Sequence, residues 1–128
     1  MLPLCVDQGK AVIPWSPLAR GRLTRPWDAS TEREKTDAFG RGLYAASHES
    51  DHAVFLAVER IANERGVSRA QVAMAWLLGK PEVTSPIVGT TKIEQLDDAV
   101  AALSIELTAD EREALEAPYV PHAIAGFD

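Results

Sequence analysis

The stretch VIPWSPLARGRL (residues 12–23) joins a short β-strand pattern to a polar, basic loop. Val12 and Ile13 are branched and apolar, as in a strand that is buried on both faces. Pro14 has no N–H group to donate to a central ladder, so strand pairing is expected to end near it. An aromatic residue, a Ser-Pro pair and two arginines around a glycine follow. This order predicts a buried strand that exits into a ligand site or a solvated loop.

The composition describes a globular domain: 128 residues, 46% hydrophobic and 25% charged. No run approaches the roughly 18–20 apolar residues that span a bilayer, and the N-terminus lacks a signal-peptide pattern. The single cysteine, Cys5, cannot form an internal disulfide, which favours a cytoplasmic setting. The formal net charge of −6 argues against nucleic acid as a partner. No spacing typical of metal ligands is found.

Helical patterns dominate outside the loop-like residues 16–50. Residues 2–8 read as the end of a helix, and a short helix is predicted near 31–39. A helix is predicted over 51–65, with one apolar face and a stop at Gly66. The face consists of Val54, Val58, Ile61 and Ala62. A capping box over residues 68–71 opens a second helix, which ends at Pro81 and is apolar on most sides, so it is expected to be covered. Thr108 and Glu111 are predicted to cap a last short helix. Between these, a capping box over residues 91–94 predicts a helix with one apolar stripe. The stripe consists of Ile93, Leu96, Val100 and Leu103.

Residues 83–88 read as a second short strand, with Ile87 and Val88 expected to be its most buried positions. The two strands are separated by helices, so they are expected to run parallel with a right-handed crossover. Two strands alone do not make a parallel sheet that hides its faces and edges. As an independent α/β fold, the chain is predicted to be incomplete.

Ligand sites of parallel α/β folds lie beyond the carboxyl ends of the strands. The segments 15–18 and 89–92 occupy such positions, and the second opens a helix, whose free N–H groups suit phosphate. Together they indicate a nucleotide-type ligand laid across the mouth of a barrel. Structural interpretations stay open: Thr91 as a helix cap beside a solvated Lys92, and Trp15 packed beneath a Ser-Pro turn.

Four segments resemble, in order, the C-terminal part of aldo-keto reductases of the branch related to aryl-alcohol dehydrogenases. They are VIPWSPLARGRL, RGVSRAQVAMAWLL, VTSPIVGTTKIEQLDDAV and PYVPH. The resemblance implies that residues 1–128 form the C-terminal portion of a (β/α)8 TIM barrel, incomplete as a barrel. It makes 11–15 the seventh strand, 83–88 the eighth, and 2–8 the end of the sixth helix.

The resemblance also implies which residues hold a cofactor. Trp15 corresponds to the aromatic residue that stacks on the nicotinamide ring. The loop along the pyrophosphate corresponds to Ser16, Pro17 and Leu18, with Arg22 nearby. The site of the adenosine 2′-phosphate and adenine corresponds to Gly89, Thr90, Thr91, Lys92, Gln95 and Asp98. NADP(H) is therefore implied. Many relatives carry Arg near Gln95 and Asn at the position of Ala99, and both departures weaken these expected contacts.

The family's catalytic Asp, Tyr, Lys and His tetrad belongs to the first half of the barrel, so no catalytic residue is assigned to this chain. Its own tyrosines and histidines match no tetrad motif; they include Tyr44, Tyr119, His48, His52 and His122. The isolated chain is expected to lack carbonyl reduction and to bind NADP weakly or not at all. Small carbonyl compounds are the implied substrates of the complete barrel. The tail at Tyr119–Phe127 resembles a segment that shapes the substrate pocket.

Two other hypotheses stay open at the level of sequence. In one, the chain is a non-catalytic module that binds nucleotide, self-associates through exposed strand edges, or pairs with a complementing N-terminal chain. In the other, it is an unrelated small α/β domain whose motif positions are only structural. No nucleic-acid or membrane partner is expected in any of them.

Overall fold

The computed structural model describes residues 1–29, 42–44 and 47–121. Helices make up most of the regular structure there, and the short helix predicted near 31–39 lies outside the described residues. The α-helices are α1 (Leu2–Asp7), α2 (His48–Arg65), α3 (Arg69–Leu78), α4 (Ile93–Ala101) and α5 (Ala109–Glu116), with short 3₁₀ turns at Ala19–Gly21 and Ala102–Ser104. None of the helices described is long and apolar enough to cross a membrane.

Local signals in the sequence determine the ends of α2, α3 and α5. Helix α2 ends at Gly66, whose φ of 65° lies in the left-handed region that glycine adopts without strain. Helix α3 begins with the predicted capping box: Ser68 Oγ accepts from the Gln71 N–H, and the Gln71 side chain accepts from the Ser68 N–H. Thr108 and Glu111 cap α5 in the same way. These predictions are confirmed.

The two segments predicted as strands lie side by side and run parallel, but they pair at only two positions. Val12 pairs with Val83, and Trp15 pairs with Ile87, as isolated bridges. The predicted parallel pairing is confirmed, but the described residues form no regular strand over 11–15 or 83–88.

Prolines explain why no regular ladder forms. The carbonyl of Val12 accepts from the Thr84 N–H at 2.8 Å, so the next carbonyl in register, that of Pro14, would accept from residue 86. Residue 86 is a proline without an N–H group, and the Pro14 carbonyl accepts instead from Ile87 at 2.8 Å. The pairing therefore slips by one residue between the two bridges.

The hydrophobic core lies where α2, α3 and the residues around α5 pack together. Ile61 of α2 and Val72 of α3 are its fully buried large side chains. The rest of this cluster consists of Val58, Ala62, Ala75, Leu107 and Leu115. Most of the predicted apolar face of α2 is thus confirmed as core, and so is the covered character of α3.

A second apolar surface is exposed instead of buried. The stripe on α4 and its following turn shows 65% exposure at Ile93, 45% at Leu96, 57% at Val100 and 69% at Leu103. The expected burial of the strand segments is wrong at Ile13, 58% exposed, and at Ile87, 54% exposed. At Ile13 and Ile87 the reason is that the paired segments have no further neighbouring strand among the described residues.

Candidate functional site

The first candidate segment is a tight turn that begins at the end of the paired residues. Trp15 is 59% exposed, and the next residue, Ser16, has a φ of 50°. The Ser16 carbonyl accepts from the Ala19 N–H at 2.9 Å. Ala19 and Arg20 also have positive φ values, 49° and 56°. Three non-glycine residues in the left-handed region make this an unusually strained turn, a property concentrated at ligand-binding and active sites.

The second candidate segment lies beside the first because of the pairing just described. Trp15 is bridged to Ile87, and only Val88 separates Ile87 from Gly89. Residues 89–92 are all exposed. A Cβ on Gly89 would meet no atom within 4 Å, so in the described residues no neighbour demands a glycine there. Both predicted halves of the cofactor site therefore share one edge of the molecule.

The start of α4 differs from its prediction. The N-cap is Lys92, which makes no side-chain capping bond, so the capping box predicted over residues 91–94 is wrong. The side chain of Gln95, in the first turn, reaches back and accepts from the Thr91 N–H at 3.0 Å. Gln95 thus takes the part that the predicted capping box gives to the Glu94 side chain, and Lys92 is exposed at the helix start.

Asp98, the last of the predicted cofactor residues, is half-buried and turned toward α3. Its Oδ2 accepts from Ser68 Oγ at 3.1 Å, while Ser68 also caps α3. Asp98 therefore links α4 to the start of α3.

Arg22 lies over two aromatic rings beyond the strained turn. Its guanidinium carbon lies 4.9 Å from the Trp27 ring centroid and 5.0 Å from that of Tyr44. Among the residues that the structure describes, the buried Nε of Arg22 has no hydrogen-bond partner. Stacking fixes the plane of the guanidinium and leaves its edge for other contacts.

An aromatic cluster that the sequence analysis missed anchors this loop to α2. The Trp27 ring centroid lies 5.0 Å from His48, 4.8 Å from His52 and 5.4 Å from Phe55. The α2 residues are spaced four and three apart, so they share one helical face. That spacing was the sequence signal from which the α2 side of the cluster could have been predicted. Its aromatic partner, 21 positions before His48, was not indicated by any local pattern.

Arg69, at the first position of α3, fastens the same loop from the other side. Its Nη2 donates to the Thr24 carbonyl at 3.0 Å, and its Nη1 lies 2.5 Å from Glu59 Oε1 on α2. The guanidinium carbon also lies 5.0 Å from the Phe55 ring centroid. The loop that follows the first paired segment is thus tied to both α2 and α3.

The carboxyl groups with clearly shifted pKa values hold helices together. Two hydrogen bonds from Arg65, together with the Thr108 N–H, lower the pKa of Glu111 to about 2. Hydrogen bonds from Lys80 and then Trp76 lower the pKa of Glu116. Within the described ranges, no group of three or more His, Cys, Asp or Glu side chains is arranged to hold a metal ion.

Comparison with known proteins gives a consistent result. The family model described as Aldo/keto reductase family matches residues 1–119. Versiconal hemiacetal acetate reductase of Aspergillus parasiticus is 48% identical over 126 residues, which cover 97% of this chain and 36% of that protein. A provisionally named aryl-alcohol dehydrogenase of Schizosaccharomyces pombe is 44% identical over 129 residues, 98% of this chain and 35% of that one. The chain thus spans about a third of the length of these relatives.

Solved structures agree at the level of the fold. A thermostable aldo-keto reductase crystallised with the inhibitor epalrestat superposes with a TM-score of 0.59 and 24% identity, covering 92% of this chain and 33% of that one. The family match contradicts the hypothesis of an unrelated small α/β domain.

Proposed function

Because the chain belongs to the aldo/keto reductase family, we propose that it forms the cofactor-binding side of an NADP(H)-dependent reductase of aldehydes and ketones. In this proposal the paired segments 11–15 and 83–88 are the seventh and eighth strands of the family's barrel. The proposal sets the protein in the cytoplasm, since its single cysteine fits a reducing compartment.

The observation that carries the proposal is the parallel bridge between Trp15 and Ile87. It brings the exits of both paired segments to one edge, which is where ligands bind in parallel α/β folds. A half-exposed indole stands on one side of this edge, and an exposed lysine at a helix start stands on the other. An aromatic surface for a ring and a cationic helix start for a phosphate match the two ends of a dinucleotide.

We assign the residues as the family resemblance implies. Trp15 stacks on the nicotinamide, and the turn of Ser16, Pro17 and Leu18 follows the pyrophosphate, near Arg22. The 2′-phosphate and adenine lie against Gly89, Thr90, Thr91, Lys92, Gln95 and Asp98. Lys92 is the strongest of these for phosphate because it is exposed at the start of α4. Gln95 and Asp98 accept from Thr91 and Ser68, so they reach the cofactor only after exchanging those bonds.

We propose further that this chain carries no part of the catalytic tetrad and does not turn over substrate alone. A missing general acid removes a contribution of about 10²–10⁴ in rate. Measurable NADPH oxidation by the pure chain with an aromatic aldehyde would contradict this part of the proposal.

Titration of the full chain with NADP tests cofactor binding. Quenching of tryptophan fluorescence at millimolar NADP is expected, because Trp15 stacks on the bound ring, and NAD should bind more weakly for lack of the 2′-phosphate. Trp15→Phe should abolish the quenching, whereas Trp76→Phe, on α3, should preserve it. A chain that circular dichroism shows to be folded, yet whose fluorescence does not respond to millimolar NADP, refutes the proposal.

The exposed stripe on α4 supports a second role, in which the chain associates with a copy of itself or with a complementing N-terminal chain. Four large apolar side chains at 45–69% exposure form one continuous face, and such faces usually mark interaction surfaces. Light scattering tests this role: an assembly larger than a monomer that Leu96→Glu dissociates supports self-association. A wild-type chain that stays monomeric at high concentration excludes it.

A further inference from the structure

The strained turn at residues 16–20 has a conformation that its own residues do not favour. Ser16, Ala19 and Arg20 have φ values of 50°, 49° and 56°, although none of them is a glycine. Such residues persist in the left-handed region only where the surrounding structure enforces it. The turn therefore needs support from parts of the chain outside it.

Local hydrogen bonds connect the strained turn to Thr24. The Arg22 N–H donates to the Ala19 carbonyl at 3.1 Å, and the Thr24 N–H donates to the Gly21 carbonyl at 3.2 Å. The Thr24 hydroxyl donates to the same Gly21 carbonyl at 3.1 Å. Successive tight turns thus lead from the strained residues to Thr24, so a contact that fixes Thr24 also restrains the turn.

Arg69 supplies such a contact from 45 positions farther along the chain, where its Nη2 donates to the Thr24 carbonyl at 3.0 Å. The guanidinium is itself fixed by α2: Nη1 donates to Glu59 at 2.5 Å, and the group lies over the Phe55 ring, 5.0 Å from its centroid. Arg69 also begins α3, whose inner face is buried. A planar guanidinium held in this way loses little conformational freedom when it binds a carbonyl.

We propose that Arg69 is a positioning residue, which holds the strained turn in its observed conformation so that NADP meets a turn that is already ordered. Glu59 acts through Arg69 by fixing the guanidinium. A turn ordered in advance avoids an ordering cost on binding, and this raises the affinity for the ligand. The identity of the ligand rests on the proposed function, whereas the hold of Arg69 on the turn does not.

Amide hydrogen exchange of the full chain, followed by NMR without ligand, tests this hold. The amides to follow are those of Ala19, Gly21 and Arg22, which donate within the turn. Arg69→Gln should accelerate their exchange about three- to tenfold, as expected from the loss of one hydrogen bond that opposes local opening. A residue that only joined α2 to α3 would leave these amides unchanged.

Arg65→Gln is the matched control. It removes the same charge and also breaks bonds to a carboxylate and a backbone carbonyl, but its partners are Glu111 and Glu106 instead of the loop. It should change the exchange of the turn amides by less than about twofold, because these amides exchange by local opening. Equal acceleration in Arg65→Gln and Arg69→Gln overturns the proposal, and so does unchanged exchange in Arg69→Gln.

Two more variants separate the role of Arg69 from a general loss of folding. Glu59→Gln should accelerate the same amides by a smaller factor, and it should add little in the Arg69→Gln background because it acts through Arg69. Full additivity contradicts that route. If Arg69→Gln does not fold, Arg69→Lys keeps the charge but lacks the planar fork that contacts Glu59 and Thr24 together. It should still accelerate exchange several-fold, and unchanged exchange in this variant also refutes the proposal.

Titration of the same variants with NADP distinguishes this proposal from the proposed function. Arg69→Gln should raise the Kd for NADP about three- to tenfold, in step with the faster exchange, and Arg65→Gln should raise it less than about twofold. Faster exchange with an unchanged Kd overturns the positioning role. If the wild-type chain does not bind NADP, the proposed cofactor function fails, while faster exchange in Arg69→Gln still supports the hold of Arg69 on the turn.

Discussion

The pair Arg65–Glu111 gives a stability prediction whose size can be worked from the structure. Arg65 Nε and Nη2 lie 2.5 and 2.6 Å from the two carboxylate oxygens of Glu111, and Nη2 also donates to the Glu106 carbonyl at 2.9 Å. The contact joins the last turn of α2 to the first turn of α5. The change to make is Glu111→Gln, because glutamine keeps the capping bond to the Thr108 N–H while removing the charge.

The expected loss of stability follows from the shifted pKa of Glu111. These contacts lower the pKa of Glu111 from 4.5 to about 2, and a fully transmitted shift of that size corresponds to roughly 3 kcal/mol. Solvent reaches 28% of the Arg65 side chain and 20% of the Glu111 side chain and screens the pair. We therefore expect Glu111→Gln to lower the free energy of unfolding by about 1–2 kcal/mol at neutral pH.

The pH dependence has a definite sign. Because the folded-state pKa is depressed, the stabilisation is present above pH 4.5 and is lost as the pH falls toward 2. The difference between wild type and Glu111→Gln should shrink to about half or less by pH 3. Urea denaturation followed by circular dichroism at pH 7, 5 and 3 measures it, with Glu113→Gln on the same helix as the control. A difference that does not change with pH, or an equal loss in the control, refutes the assignment of this stability to the ion pair.

Three further substitutions test the core, a helix end and a surface pair by the same denaturation assay. Ile61→Ala should lower the free energy of unfolding by about 2–5 kcal/mol, because Ile61 is fully buried. Leu56→Ala, at a position 49% exposed on the same helix, should lower it much less. Similar losses in the two variants would contradict the assigned core. Gly66→Ala should cost about 1–2 kcal/mol because φ is 65° there, and a neutral result would exclude the left-handed helix end. Arg60→Gln should cost under about 0.5 kcal/mol, since its contact with Glu64 is exposed, and a larger loss would be inconsistent with a screened pair.

The helical part of the fold could be predicted because its signals are local. The capping box from Ser68 to Gln71 and the stop at Gly66 depend on residues within one turn of each helix. The same reasoning failed at α4, where the Gln95 side chain competes successfully for the Thr91 N–H. Two polar side chains lay within reach of one donor there, and the sequence pattern alone does not rank them.

The strands and the loop could be predicted only in part because their structure depends on distant partners. The parallel direction followed from topology, but the slip in pairing depends on Pro86 standing opposite Pro14. Likewise, the stacking of Arg22 depends on Trp27 and Tyr44, which lie at different distances along the chain. The sequence shows a basic loop there, and only the fold shows that one of its arginines lies over two aromatic rings.

The geometry of the proposed cofactor site also has a consequence for its affinity. Its two halves are joined by two bridges, with Ile13 and Ile87 exposed beside them and the apolar stripe of α4 uncovered. Under the proposed function, NADP would order a weakly supported edge on binding, and that ordering would reduce the observed affinity. A chain that covered the stripe would fix the same edge in advance. By linkage, that covering chain would strengthen NADP binding by a certain factor, and NADP would strengthen the association of the two chains by the same factor. Covering the stripe and binding the cofactor are thus expected to be coupled, and a sizing experiment with and without NADP measures the coupling directly.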